Sequence, residues 1–212
     1  MTFPRPIDRL RDVLLVVDVQ YDFCPGGALG VADGDAVVPL ANRLIPRFGT
    51  VVLTQDWHPP GHRSFASSHP GRSPFETIQL AYGPQTLWPD HCVQGTPGAR
   101  FHADLDTTAA CLVLRKGIHR AIDSYSAFFE NDRATPTGLG GYLRERGFER
   151  VFLCGLATDY CVTYSALDAR RLGFEAVVLP DACRAIDLED SLAAALARMR
   201  DAGVAFADSG SF

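Results

Sequence analysis

The chain has 212 residues, of which 47% are apolar and 21% are charged, and its formal net charge at pH 7 is −5. This composition is typical of soluble globular proteins and the length suits one hydrophobic core, so we predict a single domain over residues 1–212. The negative charge supplies no broad positive field for phosphate backbones or anionic lipids, which argues against nucleic-acid and membrane partners.

The N-terminal part of the chain has no pattern of a signal peptide or a membrane span. Its first apolar run, residues 13–17, is too short for either and is interrupted by Asp18. Six cysteines are scattered without a C-x-x-C pair, which indicates reduced thiols rather than a disulfide scaffold or a zinc ribbon. We therefore expect a cytoplasmic protein.

Short runs rich in Val and Leu predict buried strands, and the segments between them can hold helices. The predicted strands are residues 13–18, 51–54, 111–116, 151–155 and 175–179, with a weaker edge strand at 203–207. The predicted helices are residues 35–48, 138–146 and 187–200, the last behind the cap candidate Asp187. Gly147 and Gly173 occupy expected C-cap positions. This alternation predicts an α/β fold of three layers, α/β/α, with a mostly parallel, roughly six-stranded sheet.

Residues 57–105 interrupt the alternation. They are rich in Pro, Gly, Ser and His and show little periodicity, so we predict a long loop. A loop of this length within a compact domain is usually functional or disordered, and its histidines favour a functional one.

Chemically reactive residues stand where predicted strands end. In parallel sheets ligands bind beyond the carboxyl ends of the strands, and Asp18 and Lys116 end the first and third runs. Cys161 follows the fourth run near the start of a helix, behind the N-cap candidates Thr158 and Asp159. The helix terminus and a nearby ammonium would favour a thiolate, and a carboxylate could take the thiol proton. We expect the ammonium and the carboxylate to project from two neighbouring strands and to meet the sulfur.

A metal site is the second prediction. Asp56 and His58 are two residues apart, so on an extended segment their side chains face the same way, and His91 could complete the site. Two imidazoles and one carboxylate leave positions open for water or substrate and suit zinc, iron or manganese. His62 and Ser64 are candidates for a further contact.

A single cysteine is more often a small buried hydrophobe than a nucleophile. The other cysteines are therefore predicted to be packing residues, namely Cys24, Cys92, Cys111, Cys154 and Cys183.

Several segments together resemble the nicotinamidase (pyrazinamidase) family within the isochorismatase-like superfamily of cysteine hydrolases. They are VVDVQYDFCPGGAL, TQDWHPPGHRSFAS, WPDHCVQGTPGA, RKGIHRAIDSYSAF and FLCGLATDYCVTYSALDA, which occur in the family's order between residues 16 and 169. The resemblance implies an isochorismatase-like hydrolase that converts nicotinamide to nicotinate and ammonia through a Cys thioester, in NAD salvage.

The resemblance also assigns roles to individual residues. It implies that Cys161 is the nucleophile, that Asp18 is the general base and then the acid, and that Lys116 is their charge partner. The implied metal ligands are Asp56, His58 and His91, with Ser64 in contact through water, and zinc is the first choice of metal over iron or manganese.

The resemblance further implies a cis peptide between Leu156 and Ala157, with the backbone N–H groups of Ala157 and Cys161 forming an oxyanion hole. The implied substrate-binding residues are Phe23, Trp88, Tyr125 and Leu156, whose aromatic members suit a flat heteroaromatic ring.

Three other readings of the sequence remain. A related amidase or carbamoyl-type hydrolase would act on an aliphatic substrate without the metal set. A binding protein would keep the fold without turnover, and a metallohydrolase would use metal-bound water instead of the cysteine. The sequence does not predict the oligomeric state.

Overall fold

Eight strands and four α-helices form the regular structure of residues 5–212, the part of the chain that the computed structural model describes. The strands are β1 (Asp12–Val17), β2 (Val51–Asp56), β3 (Thr77–Leu80), β4 (Gly83–Thr86), β5 (Ala110–Lys116), β6 (Arg150–Leu156), β7 (Glu175–Arg184) and β8 (Ala205–Phe206). The helices are α1 (Val37–Leu44), α2 (Leu139–Glu145), α3 (Thr163–Arg171) and α4 (Ser191–Asp201). Residues 1–4 of the predicted domain lie outside the described residues.

Six strands form one sheet in the order β5-β2-β1-β6-β7-β8, and every neighbouring pair is parallel. The predicted α/β fold with a parallel six-stranded sheet is therefore confirmed. Parallel strands have their carboxyl ends at one edge of the sheet, and the segments that follow β1, β2, β5 and β6 meet there. This edge carries the candidate site.

Strand burial follows from position in the sheet. Every residue of β1, β2 and β6 is buried, which confirms the prediction from their apolar runs and shows that both faces are covered. The prediction is wrong for β5, an edge strand on which Cys111, Val113 and Arg115 are exposed, Val113 by 44%. Cys111 is therefore not the packing residue that we expected. An apolar run does not reveal whether its strand lies at the edge.

The glycines at the helix ends behave as predicted, but one helix start does not. Gly147 and Gly173 adopt left-handed φ angles of 74° and 92°, as C-cap glycines do. α4 begins at Ser191 rather than after Asp187. Asp187, Glu189 and Asp190 have left-handed φ angles of 56°, 51° and 63°, so the regular helix begins only after them, although Oδ1 of Asp187 still accepts from the N–H of Leu192 at 3.1 Å.

The predicted loop of residues 57–105 contains regular structure. Strands β3 and β4 pair antiparallel as a hairpin, and single bridges join Phe65 to Trp88 and His58 to Val93. Phe65 and Trp88 are both buried. The prediction of a structureless loop is wrong here because the segment packs its few large side chains against the rest of the domain.

Among the described residues, no helix is both long enough and apolar enough to cross a bilayer. All six cysteines are free thiols, as predicted from their spacing.

Candidate active site

Four adjacent strands each supply one reactive side chain to the carboxyl edge of the sheet. Lys116 ends β5 and Asp56 ends β2, and the two residues are register partners. Asp18 directly follows β1, and Cys161 follows β6 after a short turn. β2 lies between β1 and β5, so Lys116 and Asp18 do not project from neighbouring strands as expected. The carboxylate of Asp56 lies in between.

The ammonium of Lys116 is the centre of this group, and its side chain is fully buried. Its Nζ lies 2.8 Å from Oδ2 of Asp18 and donates to Oδ1 of Asp56 at 2.7 Å. It also donates to the backbone oxygen of Ser124 at 2.9 Å and to Sγ of Cys161 at 3.4 Å. Burial alone would lower the pKa of Lys116, but the two carboxylates outweigh burial and raise it well above its usual value. The lysine is therefore a permanent cation.

Asp18 is held by a neighbouring strand through one of its two oxygens. Its N–H donates to Oγ1 of Thr54 at 3.1 Å, and that hydroxyl donates to Oδ1 of Asp18 at 2.6 Å. Oδ2 faces the ammonium of Lys116 but accepts no hydrogen bond of good geometry from the described residues. Burial raises the pKa of Asp18, although Lys116 opposes the shift. The carboxylate thus retains a free lone pair for a proton.

The start of the helix that follows β6 differs from the expectation. Cys161 lies in a π-helical turn, Thr158–Val162, that leads into α3, and the N-cap is Ala157 without a side-chain bond. Asp159 does not cap this turn. Its carboxylate instead accepts from the N–H groups of Ile186 and Asp187 at 3.0 and 2.8 Å. Asp159 thereby ties the segment after β7 to the site.

The protonation state of Cys161 also differs from the expectation. Burial raises the pKa of the Cys161 thiol well above its usual value, and Lys116 offsets this only in part. Asp18 and Asp56 act in the same direction as burial, because two carboxylates beside the sulfur disfavour a thiolate. One oxygen of each carboxylate lies within 4.8 Å of Sγ. The resting sulfur is therefore a thiol that needs a base, and Asp18 is within reach.

The three predicted metal ligands lie together beside this group. Oδ2 of Asp56 is 3.3 Å from Nε2 of His58 and 3.7 Å from Nε2 of His91. Nδ1 of each histidine faces a backbone oxygen, that of Gly117 at 3.0 Å and that of Pro89 at 2.8 Å. Nδ1 therefore carries a proton in each ring, and Nε2 of each ring points towards the carboxylate of Asp56.

This arrangement fits a divalent cation. Nε2 of His58 is fully buried and has no hydrogen-bond partner among the described residues, which is costly for a nitrogen unless a cation binds there. A Cβ at Gly117 would lie 2.6 Å from Nδ1 of His58, so only glycine lets the chain support this imidazole. Burial would raise the pKa of Asp56, but Lys116 and His58 hold it well below its usual value, so the carboxylate is charged.

The two further candidates for metal contact bind each other. Nδ1 of His62 lies 2.7 Å from Oγ of Ser64, and Nε2 of His62 faces the backbone oxygens of His119 and Ile122 at 3.1 and 3.3 Å. Both nitrogens of His62 are thus engaged by protein atoms. Contact of Ser64 with a metal through water stays a prediction.

A narrow pocket opens between the thiol of Cys161 and the imidazole of His91. Its lining residues are Phe23, Leu29, Asp56, Trp88, His91, Asp123, Tyr125, Ala157, Tyr160, Cys161 and Ile186. The three predicted aromatic contacts, Phe23, Trp88 and Tyr125, are among them. Leu156 lies behind this wall, fully buried in the core, while Ala157 faces the pocket. The peptide between these two residues is cis, as predicted.

Sequence reasoning missed four pocket residues. Tyr160 packs edge-on against Trp88 with ring centroids 4.9 Å apart, and Leu29 and Ile186 close the apolar sides. Asp123 is a buried carboxylate within 4.8 Å of ring nitrogens of the histidines at positions 58 and 62. Asp123 could have been suspected, because an acidic residue in the segment after Lys116 lies near the same sheet edge.

The comparisons agree with this geometry. A sequence profile described as the isochorismatase domain matches residues 12–211. The nicotinamidase of Acinetobacter baylyi is 56% identical over 191 residues, which cover 90% of this chain and 89% of that protein. The solved nicotinamidase/pyrazinamidase of Acinetobacter baumanii has a TM-score of 0.94 at 54% identity, covering 95% of this chain and 97% of the other.

Two further solved structures hold small ligands or metal. A protein from L. infantum, solved in complex with nicotinate, has a TM-score of 0.85 at 41% identity and covers 97% of this chain and 96% of its own. The pyrazinamidase of Pyrococcus horikoshii, solved in complex with zinc, has a TM-score of 0.76 at 39% identity and covers 93% of this chain and 99% of its own.

Proposed function

Because the chain belongs to the isochorismatase family, we propose that it is a nicotinamidase, which hydrolyses nicotinamide to nicotinate and ammonia. One observation carries this proposal. The thiol of Cys161, the carboxylate of Asp18 and the ammonium of Lys116 converge at one end of an aromatic-walled pocket, and Asp56, His58 and His91 lie together beside it. The aromatic walls and the reactive groups of this pocket suit a flat heteroaromatic amide.

The metal site belongs to the same proposal. Asp56, His58 and His91 would hold one divalent cation, for which we propose zinc, with Ser64 in contact through water. When bound, the cation supplies a Lewis acid that can accept the ring nitrogen of the substrate and so orient its carboxamide towards the sulfur. The aromatic walls formed by Trp88 and Tyr125 hold the ring.

The first half of the reaction forms a thioester. Asp18 takes the proton of the Cys161 thiol as the sulfur attacks the carboxamide carbon, because the buried thiol does not ionise alone. The backbone N–H groups of Ala157 and Cys161 stabilise the resulting oxyanion. Asp18 then gives its proton to the departing nitrogen, the C–N bond breaks, and ammonia leaves.

The second half returns the enzyme to its starting state. Asp18 removes a proton from a water that attacks the thioester carbon, and the C–S bond breaks to release nicotinate. The leaving sulfur recovers the proton from Asp18. Lys116 stays charged throughout and stabilises the carboxylate whenever it is ionised. We propose that the nicotinate released serves NAD salvage, the role that the resemblance to nicotinamidases implies.

The test of this proposal is the release of ammonia from nicotinamide by the purified protein, with and without a chelator. We expect turnover that falls by at least about 100-fold after metal removal and recovers on addition of zinc, because the cation positions the ring. Pyrazinamide, whose aromatic ring has the same size as that of nicotinamide, should also be hydrolysed. Full activity in a rigorously metal-free preparation, or no ammonia from the metal-loaded protein, contradicts the proposal.

The cysteines should differ sharply in their reaction with an alkylating agent. Cys111 is exposed and should be modified whether or not ligand is present, whereas Cys161 should be modified only in the absence of nicotinamide or nicotinate. Cys154 and Cys183 are buried away from the pocket and should not react in the folded protein, whereas Cys161 lines the pocket and has the carboxylate of Asp18 beside it as a base. Peptide mapping by mass spectrometry measures all four sites in one experiment. Ligand-independent labelling of Cys161 would place the sulfur outside the substrate pocket.

A further inference from the structure

Gln85 is a buried polar residue that the proposed mechanism does not use. It lies on β4, in the hairpin that the sequence did not predict, and it is 1% exposed. Most of the hairpin strands are exposed or half-buried, and Gln85 is their only fully buried residue within the described part of the chain. Its side chain points towards the pocket wall.

The amide of Gln85 has partners at both ends. The two N–H groups of Nε2 are shared among three acceptors, which are Oδ2 of Asp123 and the hydroxyl of Tyr125, both at 2.9 Å, and the backbone oxygen of Thr86 at 2.7 Å. Oε1 accepts from the hydroxyl of Tyr82 at 3.0 Å and from Nδ2 of Asn131 at 3.3 Å. The hairpin is thereby joined to two pocket-lining residues that lie far away in sequence.

These contacts fix the orientation of the amide. A reversed amide would place its oxygen against the Asp123 carboxylate and its NH₂ group against the amide donor of Asn131. Both pairings are repulsive, so one orientation is strongly preferred. Gln85 is consequently a rigid donor aimed at the wall of the pocket.

The hydroxyl of Tyr125 accepts a hydrogen bond from the amide of Gln85. The same oxygen also accepts a hydrogen bond from Nε1 of Trp88 at 3.1 Å. Both acceptor positions of this phenol are therefore used, one by the hairpin and one by the opposite aromatic residue. Trp88 and Tyr125 both line the pocket, with ring centroids 6.2 Å apart at 77°. The angle between the two rings is set by these bonds.

We propose that Gln85 is a positioning residue for substrate binding: its amide holds Tyr125, and through it Trp88, in the arrangement that accepts the aromatic ring. The inference rests on the proposed function only in taking that ring to be the substrate's. A wall built before the substrate arrives avoids the entropic cost of ordering it on binding. Gln85 touches no reacting atom, so its contribution should appear in binding rather than in the chemical steps.

The kinetic test is Gln85→Met, which keeps the length of the side chain and removes its hydrogen bonds. We expect the KM for nicotinamide to rise about tenfold while kcat changes by less than about threefold. Gln79→Met is the matched control, since Gln79 lies on the other strand of the same hairpin and is exposed. The control should leave both constants unchanged. Bound metal is measured in each variant, and a loss of metal from Gln85→Met that accounts for the KM change would overturn the proposal.

A spectroscopic test needs no turnover. The chain has two tryptophans, so the ¹H–¹⁵N spectrum contains two indole signals, which Trp57→Phe assigns. Gln85→Met should shift or broaden the Trp88 signal and leave that of Trp57, which stacks under the Arg115 guanidinium at 3.9 Å, in place. Because this readout is independent of activity, a protein without nicotinamidase activity would disprove the proposed function and still test the role of Gln85.

A milder variant covers the case in which Gln85→Met does not fold. Tyr82→Phe removes one hydroxyl that holds Oε1 of Gln85, at a half-buried position. We expect a KM increase of about two- to threefold and a smaller shift of the Trp88 indole signal. An unmoved Trp88 signal together with an unchanged KM, in whichever of the two variants folds, overturns the proposal.

Discussion

Cys161→Ala should lower kcat for ammonia release from nicotinamide by at least about 10⁴-fold, because it removes the sulfur that attacks the carboxamide carbon. The aromatic wall does not depend on the sulfur, so nicotinamide binding, measured by calorimetry, should change by less than about threefold. The backbone N–H groups of Ala157 and residue 161 also remain. Hydroxylamine added to the wild-type reaction should trap the thioester as a hydroxamate, and the variant should give none.

The matched control for this change is Cys154→Ala. Cys154 lies on β6 and is fully buried, so this substitution removes a sulfur atom from a site away from the pocket. We expect the Cys154→Ala protein to lose about as much stability as the Cys161→Ala protein, and to keep the wild-type kcat. If Cys161→Ala instead retained about 1% of wild-type kcat or more, the covalent scheme would be wrong, and a metal-bound water would be the better nucleophile.

Strand ends could be read from the sequence because their chemistry and their position are linked. Asp18, Asp56 and Lys116 each end an apolar run, and parallel strands bring such ends to one edge. The same logic placed Cys161 at the start of the helix that follows β6. Local pattern therefore determined which side chains would meet.

Contacts between distant segments could not be read in this way. Thr158 and Asp159 are residue types that often cap helices, yet the carboxylate of Asp159 accepts hydrogen bonds from the backbone N–H groups of Ile186 and Asp187 instead. These contacts depend on where the segment after β7 folds back. The left-handed residues before α4, Asp187, Glu189 and Asp190, lie in or next to this segment and carry no local signal in the sequence.

The order of strands in the sheet was also beyond the sequence. β5 contains as many Val and Leu residues as the buried strands β2 and β6, but its edge position exposes Cys111 and Val113. Gln85 and Asp123 were missed for a related reason, since their hydrogen bond joins residues 38 positions apart in segments without periodicity. Pairing of this kind becomes visible only when the chain is folded.

The charges around Lys116 that keep Cys161 a thiol also predict a large effect of removing the lysine. The Lys116 ammonium lies between two buried carboxylates, Asp18 at 2.8 Å and Asp56 at 2.7 Å. Lys116→Met would leave both carboxylates in the interior without their cation. Breaking a buried ion pair by removing one partner typically costs about 3–5 kcal/mol of unfolding free energy. We expect a loss of that size in metal-free protein, measured by urea denaturation.

The pH dependence of this loss has a definite sign. Without Lys116, only the hydrogen bond from Thr54 opposes the effect of burial, so the pKa of Asp18 rises further above the unfolded value of about 3.9. The native state then binds a proton more readily than the unfolded state, so lowering the pH stabilises the variant relative to wild type. The stability difference should therefore shrink as the pH falls from 8 towards 5 and grow as the pH rises.

Lys116→Met should also lower kcat, by at least about 10³-fold in the folded fraction of the protein, because a protonated Asp18 cannot accept the thiol proton.

Arg150→Met is the matched control. The Arg150 guanidinium donates to the buried carboxylate of Asp12 at 3.0 Å, at the amino ends of β6 and β1 and so at the opposite edge of the sheet. It should lose a comparable amount of stability and keep its kcat. If Lys116→Met lost only stability, or if both variants lost kcat equally, the ammonium would serve the fold and not the proton transfer between Cys161 and Asp18.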